Sequence, residues 1–212
     1  MTDAALHSGC RPVEASAYWH PVTPTLADAT DEALMLGYRD GDATAFDLLY
    51  GRHKGGVYRY LLRQCRNAAL ADELFQDVWM NLIRARAGYT VQAKFTTWLY
   101  RIAHNRLIDH FRRSDPAALS LDDEESAVTF AEPAAPRSVE PEAGAAAREQ
   151  AAQLLALLDG LPAEQREAFV LQQEGGLSIE EIAAATGVTR ETAKSRLRYA
   201  IAKLRQGMQA WQ

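Results

Sequence analysis

The segment LSIEEIAAATGVTRETAKSRLRYAIAKLR, Leu177 to Arg205, decides how the rest of the chain is read. Ser178 followed three residues later by Glu181 is a capping box: the hydroxyl and the carboxylate each satisfy an orphan amide at a helix start. Ile182 falls on the inward face of that short helix, and Ala183 is small enough for a second helix to pack across it. Gly187 stands where a tight turn needs a positive φ. Thr189 then caps a longer helix whose apolar positions Ala193, Leu197, Ile201 and Leu204 recur at three- and four-residue spacing. The pattern is a helix-turn-helix. From Val188 to Arg205, six cations (Arg190, Lys194, Arg196, Arg198, Lys203, Arg205) stand against one anion, Glu191. Such a helix fits a major groove, with base edges read near its start and phosphates held along its flanks. A basic amphipathic helix alone is more often a solvated face. Two caps, a small residue, a turn glycine and a cation excess at these offsets point to DNA.

At 212 residues the chain has room for one large domain or for two small ones with cores of their own. Its net charge of −5 suits a DNA-binding protein poorly until the charge is divided along the chain. Residues 1–30 carry one cation and three anions, a net of −2. Residues 31–113 carry thirteen cations and nine anions, a net of +4. Residues 114–147 carry one cation and eight anions, a net of −7, and residues 148–212 carry eight of each. The acidity therefore sits in one segment, and the overall charge misleads about partners. That segment, 114–147, also holds Pro116, Pro133, Pro136, Pro141 and the run Asp122-Asp123-Glu124-Glu125, without a sustained apolar period. It reads as a flexible acidic linker, which leaves the spacing of the domains on either side undefined.

Residues 1–30 read as a disordered extension: Pro12, Pro21 and Pro24 punctuate them, with Tyr18 and Trp19 as the exceptional apolar pair. His7, Cys10 and His20 lack the paired spacing of a metal site, and no cofactor is expected. The start MTDAALHSGC has neither the basic nor the apolar part of a secretory signal, and no window nears the roughly twenty apolar residues of a membrane span. Two cysteines, Cys10 and Cys65, make no disulfide framework, so the expected location is the cytoplasm.

From Asp31 to Arg113 the apolar period is helical nearly throughout, so the expected fold is all-α: two small helical domains joined by the linker. Phe46, Leu49, Tyr50, Val57, Tyr60 and Leu61 mark one long helix, with a bend expected at Gly55-Gly56. Leu70, Leu74, Val78 and Leu82 mark a second, and Phe95, Leu99, Ile102, Ala103 and Arg106 a third. The second helix carries an acidic polar strip of Asp72, Glu73, Gln76 and Asp77. From Lys94 onward the sign reverses: Lys94, Arg101, Arg106, Arg112 and Arg113 interleave with Phe95, Trp98, Tyr100, His104 and Phe111. Cations hold a sugar-phosphate backbone, and aromatic rings stack on bases that leave the duplex. Phe95 and Leu99 are expected in the core, where aromatic residues at helical spacing most often belong.

Three blocks, DELFQDVWMNLIRA (Asp72–Ala85), FTTWLYRIAHNRLIDHFRR (Phe95–Arg113) and LPAEQREAFVLQQEGGLSIEEIAAATGVTRETAKSRL (Leu161–Leu197), together resemble an extracytoplasmic-function RNA polymerase sigma factor, of the RpoE-like group in the sigma-70 superfamily. The resemblance runs from about Asp31 to Arg205. It implies region 2 at 31–113, binding core polymerase and the minus-ten element, and region 4 at 148–212, binding the minus-thirty-five element. It implies that Asp72, Glu73, Gln76 and Asp77 meet the polymerase, the last three against the clamp helices of the β′ subunit. Lys94, Trp98, Arg101, Asn105, Arg106, Arg112 and Arg113 are then expected at the minus-ten element, with the Arg86–Lys94 loop beside them. Arg190, Glu191, Thr192, Lys194, Ser195, Arg196 and Arg198 are expected at the minus-thirty-five element. The implied partners are core RNA polymerase through its β and β′ subunits, promoter DNA and an anti-sigma factor, with no membrane insertion. The loop AGYTVQAK lacks the acidic and serine residues common in relatives, and Ala193 and Tyr199 stand where valine and arginine are frequent.

Two other classes compete. A stand-alone helix-turn-helix regulator needs no polymerase, and it leaves the acidic strip without a purpose. An enzyme with an appended DNA-binding module needs a phosphate-cradling glycine loop, a metal-ligand pair or a nucleophile–base set. None stands out here, and Asp109 and His110 are helical neighbours whose side chains point apart.

Overall fold

A computed structural model describes residues 26–114 and 145–209 of the chain. Among them eight α-helices and two short 3-10 turns occur, and no strand. The first four helices are Asp31–Arg39 (α1), Ala43–Cys65 (α2), Ala68–Ala85 (α3) and Phe95–Ser114 (α4). The second four are Ala145–Asp159 (α5), Ala163–Gly175 (α6), Ile179–Thr186 (α7) and Arg190–Gln209 (α8). The extension before residue 26 and most of the linker expected at 114–147 lie outside the described residues.

Most of the helices start where a side chain takes over an orphan amide, although α6 begins after Pro162 without one. Thr30 accepts from Ala33, Asp42 from Thr44 and Ala45, and Asn67 from Leu70. The start of α4 is capped from elsewhere in the chain: Glu32 of α1 accepts the Phe95 amide at 2.7 Å. That bond ties α1 to the helix expected at the minus-ten element. α5 begins at Ala145, three residues before the expected domain start, because Ala145-Ala146-Ala147 are strong helix formers.

The first four helices close over Leu34, Leu49, Leu61, Leu74, Leu82, Phe95 and Leu99, all essentially without solvent contact. Trp79 anchors an aromatic group with Phe46, Tyr50 and Phe75 at centroid distances of 5.9, 4.9 and 6.2 Å. In the second half, α6, α7 and α8 bury Leu171, Ile182, Ala193 and Leu197, while α5 adds a small group of Leu158, Leu161, Ala200 and Leu204. The helix-turn-helix has the form read from its sequence. Both halves of the Ser178–Glu181 capping box are made, and Gly187 turns the chain at φ 71°.

α2 is continuous from Ala43 to Cys65 through Gly55-Gly56. Gly56 permits a close approach: a Cβ there would stand 2.7 Å from the Tyr100 hydroxyl of α4 and 3.0 Å from the Glu174 carbonyl of α6. One feature differs from the sequence expectation: the spacing of the two halves is defined. α6 packs on α2 and α7 on α4, and most buried residues of both halves form one continuous apolar group. Apolar positions on α6 and α7 thus also meet the first domain.

Truncating Leu171, which is fully buried in this group, should destabilise the protein by about 2–5 kcal/mol, through lost transfer free energy and the void left behind. Ser178→Ala removes one cap and should cost only about 1 kcal/mol. Urea unfolding checks both: the Leu171→Ala midpoint should fall well below that of Ser178→Ala at an unchanged slope.

Candidate nucleic-acid interface

The start of α8 is built by Thr189, whose hydroxyl accepts the Thr192 amide at 3.1 Å and lies 2.9 Å from the Thr192 hydroxyl. The cap presents Arg190, Glu191 and Lys194 on exposed first turns, with Thr192 and Ser195 half-buried beside them. Arg190 spans the motif: its Nε donates to Glu180 of α7 at 2.5 Å, and its Nη1 donates to Glu191 at 3.2 Å. This hydrogen bond holds the Glu180 carboxyl below its usual range. Arg196 turns back to Glu164 of α6 at 2.8 Å, while Lys194 and Arg198 stand exposed. The Arg198 guanidinium lies over the Tyr199 ring, 5.0 Å from its centroid.

On α4 the helical period sorts the expected residues into two sets. Phe95 and Leu99 are core, as read from sequence. Arg101, Asn105, Arg112 and Arg113 are exposed, with Arg112 bonded to Asp109 at 3.0 Å. Trp98 is half-buried, packed on Tyr89 at 4.9 Å and Phe95 at 6.0 Å between centroids, so one edge of the indole reaches the surface. Lys94 is exposed just before α4, and its Nζ lies 2.9 Å from Glu181 of α7. Partial burial pushes the Glu181 carboxyl up. The Ser178 amide and the Lys94 ammonium outweigh that and hold it below the usual carboxylate range.

Arg106 stands apart from the other α4 cations. Its side chain is only 15% exposed, and it reaches α3, where Nε donates to Asp77 at 2.7 Å and Nη2 lies 3.9 Å from Glu73. One residue of the expected minus-ten set is thus joined to two of the expected polymerase set. Asp72, Glu73 and Gln76 are exposed beside them, and Leu74 and Val78 hold the opposite face of α3 in the core. The strip is therefore one outward surface, anchored from below by a guanidinium.

For two residues the sequence reading gave no surroundings. Tyr199, 51% exposed, lies on the outer side of α8 and lines a shallow hollow with Thr192, Ser195 and Arg196. An aromatic residue off the apolar period of an otherwise polar face was the available sign. The second is Glu167 of α6, which is 8% exposed. Its Oε1 accepts from the Tyr60 hydroxyl of α2 at 2.6 Å and lies 2.7 Å from His104 Nδ1 of α4. Burial first, and Glu167 second, push the Tyr60 phenol far up, so it stays protonated and donates. Beside them burial pushes the Arg166 guanidinium down to about 10, still protonated at neutral pH. These partners are 63 and 107 residues apart in the chain, beyond any local pattern.

Comparison with known proteins falls on the same two blocks. Sigma-70 region 2 matches residues 49–116, and Sigma-70, region 4 matches residues 151–204. RNA polymerase sigma factor CarQ of Myxococcus xanthus is 34% identical over 172 residues, which span 81% of this chain and 94% of that protein. ECF RNA polymerase sigma factor SigM of Mycobacterium tuberculosis is 32% identical over 84% of each chain. The fold matches that of the sigma factor RpoE from Bartonella quintana, solved in complex with the anti-sigma factor NepR, at a TM-score of 0.63 and 21% identity over 79% of this chain and 98% of that one. No described helix is long and apolar enough to cross a membrane. With both sigma-70 regions present in order, on the helices that carry the acidic strip and the cationic faces, the chain belongs to the extracytoplasmic-function sigma factors, the RNA polymerase subunits that direct transcription initiation at promoters.

Proposed function

We propose that the two halves divide initiation between them, with residues 31–113 as region 2, 148–212 as region 4, and 114–147 as a tether that lets them separate. The observation that carries this reading is the separation of charge over three helices. α3 turns Asp72, Glu73, Gln76 and Asp77 outward, whereas α4 and α8 turn out Arg101, Arg112, Arg113, Lys194 and Arg198. The acidic strip docks on cationic helices of the β′ subunit, and Arg106 holds Asp77 in the docking geometry from beneath. Lys94, Arg101, Asn105, Arg112 and Arg113 hold the minus-ten strand, and the exposed edge of Trp98 supports bases that leave the stack. Arg190, Glu191, Lys194, Ser195 and Arg198 enter the upstream major groove, with Thr192 and Arg196 along its wall.

In this reading the protein is a dissociable specificity subunit of the cytoplasm that touches β as well as β′ and catalyses nothing itself. An anti-sigma factor as a further partner is supported by fold relatives: RpoE was solved with NepR, and CnrH with the cytosolic domain of CnrY.

Docking through the strip predicts that Glu73→Lys with Asp77→Lys lowers affinity for core polymerase by about 2–5 kcal/mol. Asp77→Lys also sets a cation beside Arg106, so Glu73→Lys alone separates docking from the internal pair. Pull-down with core polymerase, with circular dichroism as a fold check, reads the result. Full binding by the folded double variant removes this assignment.

Lys194→Ala and Arg198→Ala should each lower discrimination for the upstream element by about 1–3 kcal/mol while leaving helicity intact. Footprints of the holoenzyme over that element read it directly. If protection is unchanged in both variants, α8 does not read the promoter through this face.

A further inference from the structure

The half-buried indole proposed to support unstacked bases is placed from α1, a helix that contributes to none of the expected contact sets. Trp98 rests on two rings, Tyr89 at 4.9 Å and Phe95 at 6.0 Å between centroids. Each of these two residues is held at its main chain by one charged side chain of α1. Glu32 accepts the Phe95 amide at 2.7 Å, and Arg39 Nη1 donates to the Tyr89 carbonyl at 3.3 Å. Asp40 accepts from Arg39 Nε at 2.8 Å and from Nη2 at 3.3 Å. That fork fixes the plane of the guanidinium and leaves Nη1 aimed at the carbonyl. A third contact closes the set: the Arg86 guanidinium, at the start of the loop, lies over the Tyr38 ring, 5.0 Å from its centroid.

The loop needs such support because it buries almost nothing of its own. Every residue from 86 to 94 is exposed except Tyr89, which keeps 4% of its surface. A segment with so few buried contacts belongs to the low-stability end of a structure, and a few anchors set its path. The Tyr89 ring is the plug, and its buried hydroxyl has no hydrogen-bond partner among the described residues. Ring packing and the main-chain carbonyl therefore hold Tyr89 in place. α1 is firm enough to serve as the frame. Leu34, Met35 and Tyr38 are buried, and Asp31 accepts from Arg52 of α2 at 2.6 Å and lies 2.7 Å from His53 Nε2 of the same helix. Arg39 itself is a third exposed on the last turn, so its loss bears on the loop more than on the core.

We infer that α1 is the template of the minus-ten surface: Arg39, with Glu32, acts through Tyr89 and Phe95 to hold the Trp98 indole where it supports unstacked bases, which makes Arg39 a positioning residue for promoter opening. The inference rests on the assignment of Trp98 to the minus-ten element. A ring that is already aimed keeps the full stacking free energy, whereas a loose one loses part of it to its own ordering. The hydrogen bonds of Arg39 go to Asp40 and Tyr89 and reach neither the acidic strip of α3 nor α8. Polymerase docking and upstream contacts are thus separable from its role.

The test uses holoenzymes of core polymerase with the full chain as wild type, Arg39→Ala, Trp98→Ala and the double variant. Permanganate reactivity of thymines in the minus-ten element of one promoter scores opening. Arg39→Ala should lower it at least about tenfold, the order of loss that small misplacements bring. Its affinity for core polymerase, its upstream footprint and its urea midpoint should match wild type. In the Trp98→Ala background the Arg39 substitution should add little, because both remove the same support. A direct grip of Arg39 on phosphate would instead add its own loss and flatten the salt dependence. Tyr89→Ala should be defective as well, and Tyr89→Phe, which keeps the ring, should restore opening. Should Arg39→Ala fold poorly, Arg39→Lys carries the same test, since it keeps the stem and charge without the fork. Normal opening by Trp98→Ala removes the role of the indole, and the inference with it. A defective Trp98→Ala beside normal opening by folded Arg39→Ala overturns the template alone, as do losses that add in the double variant.

Discussion

The register in which the two halves pack turns on one buried carboxylate. Removing Glu167 from water costs several kcal/mol, which partners offset only when the geometry is good. Here the Tyr60 hydroxyl and His104 reach the same oxygen from α2 and α4, and Arg166 adds a guanidinium on its own helix. Three helices must therefore meet in one register for the charge to be accommodated. Apolar contact through Leu171 and Leu177 supplies most of the driving force, but apolar surfaces slide at little cost. The polar node favours one docking among many, the one in which Gly56 meets the Glu174 carbonyl, Lys94 pairs with Glu181 and α7 stacks on α4.

A second theme is that cations proposed to meet DNA are paired with carboxylates in the free chain. Arg190 is bound to Glu180, Arg196 to Glu164 and Lys94 to Glu181, and Glu180 and Glu164 are well exposed. Pairs exposed in this way contribute about 0–1 kcal/mol, so a phosphate can displace the carboxylate at small cost. They also keep residues 148–212 at eight cations and eight anions, which restrains sequence-independent attraction to DNA. Affinity is left to geometry and to the polymerase, as suits a subunit that must find promoters rather than coat the chromosome. Arg106 uses the same chemistry differently. Its buried stem and fork between α3 and α4 make it a brace for the acidic strip.

The parts of this protein that could be read from sequence are those whose physics is local. The capping box Ser178–Glu181, the turn at Gly187 and the cap at Thr189 involve residues within about one and a half helical turns of one another, and all are present as read. Helical apolar periods likewise placed Leu74, Val78, Leu99 and Ala103 in the core. Contacts between distant segments left less trace. Gly55-Gly56 reads as a weak point in a helix, since nothing near it announces the Tyr100 hydroxyl. Arg106 looks like one more cation in a basic run, although its place on the Leu99–Ala103 stripe hinted that it points inward. Glu167 sits in an ordinary polar stretch, QREAF, and its burial depends on two helices far away in the chain.

The most direct measurement is probing of a promoter by deoxyribonuclease and permanganate with the isolated chain, with core polymerase, and with both. Neither component alone should protect a defined site. Together they should protect the minus-thirty-five and minus-ten regions, expose permanganate-reactive thymines near the start site and yield a transcript from it. Opening a duplex costs a few kcal/mol per unstacked base, more than α4 can offset without the polymerase. Tight, site-specific protection by the isolated chain, with no transcript when core polymerase is added, would contradict a sigma factor and leave a stand-alone regulator in its place.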